Sequence, residues 1–347
     1  MRAAPGRVEG MRVVLLGGTE FVGRAVTEAA LARGHEVTVF HRGRHEPPAG
    51  VLSLHGDRTA DGGLAALTDG GWDVVVDTWS GAPAVVRDAA RLLAGRVGRY
   101  VYVSSRSVYA HPTPPDAGED APLVAGSPDD GDAADYPRAK RGGELAVVRE
   151  LGEDRALLVR AGLILGPGEN IGRLPWWLAR AARGGDMLAP GPRDAGIQYI
   201  DCRDLAEWTL DAAEAGRGGA YDLVSPVGHA TMGALLDACV HVTGGRAVPR
   251  WTDPEPILAA GIEPWLHLPV WIPPGEQHDT MHGSTVAKAL AAGLRCRPVL
   301  ETVADTWAWL GSIGGSAPQR PDRPRVGLDP EVERKVLAGR PREEASS

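Results

Sequence analysis

Along the chain, short runs of aliphatic and β-branched residues alternate with longer stretches whose apolar positions recur at helical spacing. RVVLL (12–16) is a buried-strand run, and after a glycine turn RAVTEAALARG (24–34) has the helical period, stopped by Gly34. EVTVF (36–40), VLSLHGDRTA (51–60), WDVVVDTWSG (72–81) and RYVYVSSRSVY (99–109) read as the second to fifth strands, with a helix at about 83–95 before the last. Buried apolar runs alternating with helices describe an α/β fold of Rossmann type, a doubly wound parallel sheet. Beyond about residue 170 the pattern breaks up. Eight of the ten tryptophans fall after residue 175, in short proline-bounded segments such as LPWWL (174–178) and PWLHLPVWIP (264–273). ADTWAWLGS (304–312) ends a helix, GGSAPQRPDRPRVG (314–327) has linker composition, and DPEVERKVLAGR (329–340) is a last short helix before a polar tail.

The turn after the first strand carries the first candidate chemistry. Gly17, Gly18, Thr19, Glu20, Phe21, Val22 and Gly23 join a strand to a helix inside a βαβ unit of about the ~30 residues such a unit needs. Backbone N–H groups at such a helix N-terminus accept a pyrophosphate, with glycines where the chain bends and where it must approach the ligand. Glu20 sits inside this turn, where its carboxylate would repel a phosphate. At the end of the second strand, where an NAD-preferring fold places an acidic residue, the chain has His41, Arg42 and Arg44. Arginines there would pair with a 2′-phosphate, so the expected cofactor is NADP, with NAD as the alternative. Asp57, after the third strand, is a candidate for the adenine amine or a cap of its own loop.

Tyr136 stands four residues before Lys140, on one helical face, and follows a strand ending in Ser104-Ser105. Together GGTEFVG, GD after the third strand, VSSRSVY and YPRAK resemble the extended short-chain dehydrogenase/reductases, also called the NAD-dependent epimerase/dehydratases, over roughly residues 11–310. ALLVRAGLILGPGE (156–169) matches that group's sixth strand and QYIDCRDLAEW (198–208) its hinge. The resemblance implies Tyr136 as acid/base, Lys140 as the group that eases its ionisation and holds the nicotinamide ribose, and Ser105 as the group polarising the substrate oxygen. A free phenol titrates near ~10, so the chemistry needs an adjacent cation to exchange a proton near neutrality. It also implies a smaller, mainly helical C-terminal lobe over the cleft, in which Arg106, Trp176 and Trp177 are candidate substrate contacts. The chain departs from the family pattern at Glu20, where a glycine is usual, and at Arg106-Ser107, where 4,6-dehydratases carry an Asp-Glu pair; dehydration is therefore disfavoured.

On this reading the chain divides into a loose extension (1–10), a dinucleotide-binding domain (11–170), a mainly substrate-binding lobe (171–313) with segments returning to the sheet, and a C-terminal linker, helix and tail (314–347). The tail is available to dock on the second subunit of a homodimer. Between Ser105 and Tyr136, residues 111–135 form a proline- and acid-rich loop whose carboxylates either cap the next helix or meet a cationic substrate.

Composition narrows the function classes. A net charge of -8 and a pI of about 5.7 offer no footprint for a phosphate backbone, so no nucleic acid is expected. No apolar run reaches the ~18 residues of a membrane span, and a cytoplasmic location is expected. Cys202, Cys239 and Cys296 lack metal-ligand spacing, as do His267, His278 and His282, so neither zinc nor disulfides are expected. The leading expectation is an oxidoreductase moving hydride between nicotinamide and a carbonyl or secondary alcohol of a polar small molecule, the high glycine and arginine content being associated with bacterial secondary metabolism. The alternatives are a sugar-nucleotide epimerase with tightly bound NAD and, on the resemblance of GGTEF and RGHEVTVFHRG to chloroplast stem-loop-binding proteins, an RNA-binding relative.

Overall fold

The computed structural model describes residues 10–113, 116–317 and 319–339; the expected N-terminal extension up to residue 9 and the polar tail from 340 lie outside the described residues. The first half follows its apolar pattern: β1 (Arg12–Leu16), α1 (Phe21–Ala32), β2 (Glu36–His41), β3 (Leu52–His55), β4 (Trp72–Asp77), α2 (Pro83–Leu93), β5 (Val97–Ser105), α3 (Tyr136–Leu151) and β6 (Ala156–Ala161). Shorter elements follow: β7 (Ile164–Leu165), α4 (Arg173–Arg183), β8 (Gly185–Pro190), β9 (Gly196–Ile197), β10 (Ile200–Asp201), α5 (Cys202–Glu214) and β11 (Gly219–Leu223). The remainder comprises β12 (Ala230–Thr231), α6 (Met232–Val242), β13 (Ala247–Thr252), α7 (Pro254–Ala259), α8 (Glu276–His282), α9 (Ala287–Ala291), α10 (Val299–Ser312) and α11 (Pro330–Ala338).

Seven strands pair in the order β11-β6-β5-β4-β1-β2-β3, all parallel. Because successive strand residues face opposite ways, the apolar runs feed two cores. Val13, Leu15, Val39, Val76 and Val159 pack on one face under α1 and α5, while Val14, Leu16, Phe40, Val75 and Tyr100 pack on the other under α2 and α3. Fully burying such aliphatic side chains contributes roughly 1.5–3 kcal/mol each, which is why the strands tolerate few polar positions. The strand order reverses between β1 and β4, and the crevice outside their carboxyl ends is where such sheets bind ligands.

The second half supplies both the sheet's last cover and a separate lobe. α5 packs on the sheet through Leu205, Ala206 and Trp208, and β11 pairs with β6, so these segments return to the first domain. The lobe core gathers Leu174, Trp177, Leu178, Met187, Leu235, Leu236, Trp271 and Leu310 from α4, β8, α6, α10 and the 264–273 segment. α11 is fastened to it by Glu333, which accepts Arg180 Nε at 2.7 and 2.8 Å and the Leu188 N–H at 3.0 Å. Among the described residues no helix is long and apolar enough to cross a membrane.

Candidate active site

The glycine turn is shaped by backbone approach. Gly17 has φ 102°, and a Cβ on Gly23 would run into the Gly17 carbonyl, so α1 can start hard against β1 only with glycine there. Glu20 is the N-cap of α1 but makes no side-chain hydrogen bond to it, which leaves the first-turn N–H groups open toward the crevice. Its exposed carboxylate turns to Asn170 Nδ2 at 3.3 Å and His45 Nε2 at 3.4 Å instead. Open amides, a turn tight enough to require glycine and a displaced acid fit a dinucleotide pyrophosphate. Gly18 and Thr19 complete the turn, with Phe21 at φ 37° and Val22 opening the helix.

At the end of β2, the His41 ring is buried 4.6 Å from that of His55 and accepts the Gly43 N–H on Nδ1 at 3.2 Å. Burial, with His55 beside it, holds this imidazole below its ordinary range. His41 therefore shapes the turn, while Arg42 and Arg44 are exposed and have no carboxylate in ion-pair range among the described residues. Asp57 caps its own turn, accepting Thr59 N–H at 3.0 Å and Thr59 Oγ1–H at 2.7 Å. Those two bonds, helped by the charges of Arg42 and Arg44, hold its carboxyl below the usual range, so an ionised Asp57 stands among the two arginines.

The three catalytic candidates are placed by the carboxyl end of β5 and the first two turns of α3. Ser105 ends that strand and its Oγ accepts the Ser107 N–H at 3.1 Å, setting the side chain at the start of a single 3-10 turn, Arg106–Val108. Tyr136 is the first residue of α3, whose start is fixed by the preceding acid: Asp135 Oδ1 accepts the Arg138 N–H at 2.9 Å, and Pro137 fits the first turn. One turn on, Lys140 is 3% exposed, and its Nζ donates to Trp79 O at 2.6 Å and Val103 O at 2.7 Å, above the Tyr102 ring at 4.8 Å. Burial pulls this ammonium down to about 7, although Asp77 and Glu144 favour the charged form. Val103 lies two residues before Ser105, and Trp79 follows Thr78, whose Oγ1 donates to Leu16 O at 3.2 Å, so Lys140 is tied both to the serine strand and to the glycine turn.

A buried charge network lies beneath. Arg58 clasps the fully buried Asp77 at 2.6 and 2.7 Å, and Asp77 also accepts Tyr100 OH at 2.7 Å and Trp79 N–H at 2.9 Å. Behind Ser105, Arg160 pairs with Glu144 at 2.9 Å and Tyr109 OH donates to Asp222 at 2.7 Å. Arg106 belongs to this second network, with Nε 3.5 Å from Asp222 and a bond to Ser284 Oγ, so its guanidinium is engaged internally. Burial raises the Asp222 carboxyl to about 6.

On the lobe side the two candidate tryptophans part company. Trp177 is fully buried with its indole N–H on Pro269 O at 2.7 Å; it is core, not pocket lining, which corrects the expectation from its neighbourhood. Trp176, half-buried, packs edge-on against it at 4.6 Å and lies under Gly327. The acidic loop is held rather than free: Asp129 pairs with Arg87 at 2.7 Å, Glu119 accepts the Asp222 N–H at 2.9 Å, and Gly142 of α3 gives the Ser127 carbonyl room. Residues 114 and 115 of that loop are outside the described residues.

Several groups at the site carry no local sequence signal. The 319–327 segment, linker by composition, runs across the cleft: Arg320 N–H donates to Asn170 O at 3.0 Å, and the Arg323 guanidinium lies over the Tyr136 ring at 5.3 Å. Arg173, at the start of α4, stacks on Trp265 at 5.1 Å, and Glu169 accepts the N–H groups of Arg173 and Leu174 at 2.6 and 3.1 Å. Burial pushes Glu169 up to about 7. Among the described residues no group of three His, Cys, Asp or Glu side chains could hold a metal ion.

Comparison with known proteins agrees with this architecture. The Bordetella bronchiseptica enzyme WbmG, solved with NAD and UDP, superposes with a TM-score of 0.65 at 18% identity, covering 91% of this chain and 100% of that one. UDP-N-acetylglucosamine 4-epimerase from Bacillus cereus gives a TM-score of 0.62 at 15% identity, covering 86% and 98%. A putative epimerase from Burkholderia cenocepacia gives 0.64 at 20% identity, covering 88% and 100%. No curated protein matches the sequence significantly. At these identities the structures establish a shared fold, whereas the sequence profile of one family matches residues 13–223, the whole span from β1 to β11. With its reversed parallel sheet, its open glycine turn and most of its length inside that match, the chain belongs to the NAD dependent epimerase/dehydratase family.

Proposed function

We propose that this protein is an epimerase that removes hydride from one carbinol carbon of a sugar nucleotide and the proton from its hydroxyl, then returns the hydride to the opposite face of the carbon and the proton to the oxygen. The observation that carries the reading is Lys140: a sealed cation pinned by Trp79 O and Val103 O, one helical turn from Tyr136 and bound into the strand that ends in Ser105. Support for a sugar nucleotide comes from structural relatives, one solved with NAD and UDP and another a UDP-N-acetylglucosamine 4-epimerase. Arg106-Ser107 after Ser105 supplies no carboxylate for an elimination.

The glycine turn and the first amides of α1 would hold the pyrophosphate, Lys140 the nicotinamide ribose, and Asp57 the adenosine end. When bound, the dinucleotide accepts the hydride and gives it back. Tyr136 takes the hydroxyl proton while Ser105 donates to the same oxygen, and Lys140 supplies positive charge that favours the phenolate. After the substrate ketone turns its other face, Tyr136 returns the proton. Asp57, set between Arg42 and Arg44, offsets their charge and suits a cofactor without a 2′-phosphate.

The exposed Arg42 and Arg44 favour a second reading, an NADP-dependent oxidoreductase with net turnover. Incubating purified protein with UDP-glucose or UDP-N-acetylglucosamine and following C-4 epimers by NMR, alongside nicotinamide absorbance, separates the two. Epimer exchange without net absorbance change is expected; stoichiometric consumption of NADPH would replace the first reading by the second.

A further inference from the structure

The arginines of this chain that are withdrawn from solvent are nearly all answered by an acid. Arg58 has Asp77, Arg160 has Glu144, and Arg180 has Glu333. Arg173 breaks the pattern: among the described residues its side chain makes no hydrogen bond and has no carboxylate within ion-pair distance, and its Nε, like those of Arg58 and Arg106, is sealed from solvent without an acceptor. Its neighbour Glu169 spends its oxygens on the backbone N–H groups that open α4, and burial raises its carboxyl to about 7. The guanidinium rests on the Trp265 ring, and Gly172, the residue before it, lies against Gln319 and Val326 of the segment that bears Arg323.

Arg323 comes from the 319–327 segment. The segment bearing it is tied down at both ends, by Arg320 N–H on Asn170 O at 3.0 Å and Gly327 N–H on Leu266 O at 2.8 Å, and Arg323 lies over the Tyr136 ring at 5.3 Å. Arg320 in the same turn is already satisfied, bidentate on Asp322 at 3.0 and 2.6 Å. Two arginines brought together from segments 150 residues apart, neither with a carboxylate partner, repel one another unless a planar anion bridges them.

We propose that Arg173 and Arg323 form an anion-binding subsite beside Tyr136, and that the substrate carries a carboxylate on the sugar whose carbinol reacts. The subsite lies at the phenol ring, where the reacting carbon must be, and so addresses the sugar rather than the nucleotide diphosphate. This rests on the sugar-nucleotide reading for the substrate, but the subsite itself does not.

The test uses dinucleotide-loaded full-length protein and its tryptophan fluorescence, Trp265 lying against Arg173. UDP-glucuronate and UDP-glucose share the nucleotide diphosphate and differ in one carboxylate. UDP-glucuronate should bind at least tenfold tighter, and Arg323→Gln and Arg173→Gln should reduce that preference to within about twofold, while dinucleotide and UDP-glucose affinities hold and Arg323→Lys restores part of it. Arg323 is exposed, so its variants report even where Arg173→Gln impairs folding. Equal losses for both nucleotides, or weakened dinucleotide binding, would overturn the carboxylate assignment. Malonate is titrated in parallel. If neither nucleotide binds but malonate does, with at least fivefold weaker binding in both variants, the sugar-nucleotide reading falls and the subsite stands; malonate binding indifferent to both substitutions overturns the subsite.

Discussion

On the dinucleotide side of the cleft, Arg58 and Asp77 close on each other with two short bonds, and Tyr100 and Trp79 take the remaining lone pairs of the acid. On the lobe side, Arg173 and Glu169 are neighbours that do not close: the acid caps α4, and the guanidinium faces Trp265 with no ion pair or side-chain hydrogen bond among the described residues. Both clusters put charge into a poorly hydrated place, which costs free energy unless the partners compensate. A closed cluster holds shape, here the position of Trp79 and through it Lys140. An open one keeps its hydrogen-bonding capacity for something that arrives later. Lys140 lies between them, bonded to neutral carbonyls alone.

The largest expected effect tests the group that both clusters surround. Tyr136→Phe should lower kcat by about 10²–10⁴-fold while dinucleotide affinity, read by fluorescence titration, stays within about twofold; retained turnover would move the proton transfer elsewhere. Next, Asp77→Ala should destabilise the protein by about 3–5 kcal/mol in urea unfolding, because it strands Arg58 in a sealed site. A loss under ~1 kcal/mol would mean that the closed cluster does not hold the site together.

The third prediction concerns pH. Lys140 titrates near 7 in the folded chain against an ordinary 10.5, so the penalty for burying its charge is fully present below pH 7, shrinks as pH rises to about 10.5, and is gone above it. In the dinucleotide-free protein, stability relative to Lys140→Met should therefore rise over that window by several kcal/mol; a flat difference would show that the ammonium is better compensated than its two carbonyls imply. The smallest effect belongs to the open cluster. Arg173→Gln should change unliganded stability by less than about 1 kcal/mol, in either direction, since the Arg173 side chain makes no hydrogen bond or ion pair among the described residues. A cost equal to that of Asp77→Ala would erase the contrast between the two clusters.

Much of this was legible in the sequence, for identifiable reasons. Strand and helix periods are local, so β1, α1 and β2 could be placed from RVVLL, the glycine turn and EVTVF, and their parallel pairing follows from the alternation. The spacing of Tyr136 and Lys140 is equally local, and Asp135 sits where a helix cap belongs. Trp176 and Trp177 show where this ends. Adjacent residues on a helix point about 100° apart, and only the packing of α4 against the lobe decides that Trp177 faces the core and Trp176 the surface. Linker composition at 314–327 describes a segment too polar to make a core of its own, and is silent about what it lies against.

The chain's sequence by itself determined the doubly wound sheet and the place of the glycine turn, because each depends on period or spacing within one or two neighbouring elements, while Ser105, Tyr136 and Lys140 were singled out by a family resemblance that rests on several such motifs in order. Only the tertiary structure decided which charges are answered. Arg58 meets Asp77 at the end of β4, Arg106 is drawn to Asp222 and Ser284, and Arg323 reaches Tyr136, each pairing depending on distances between segments that no local pattern encodes.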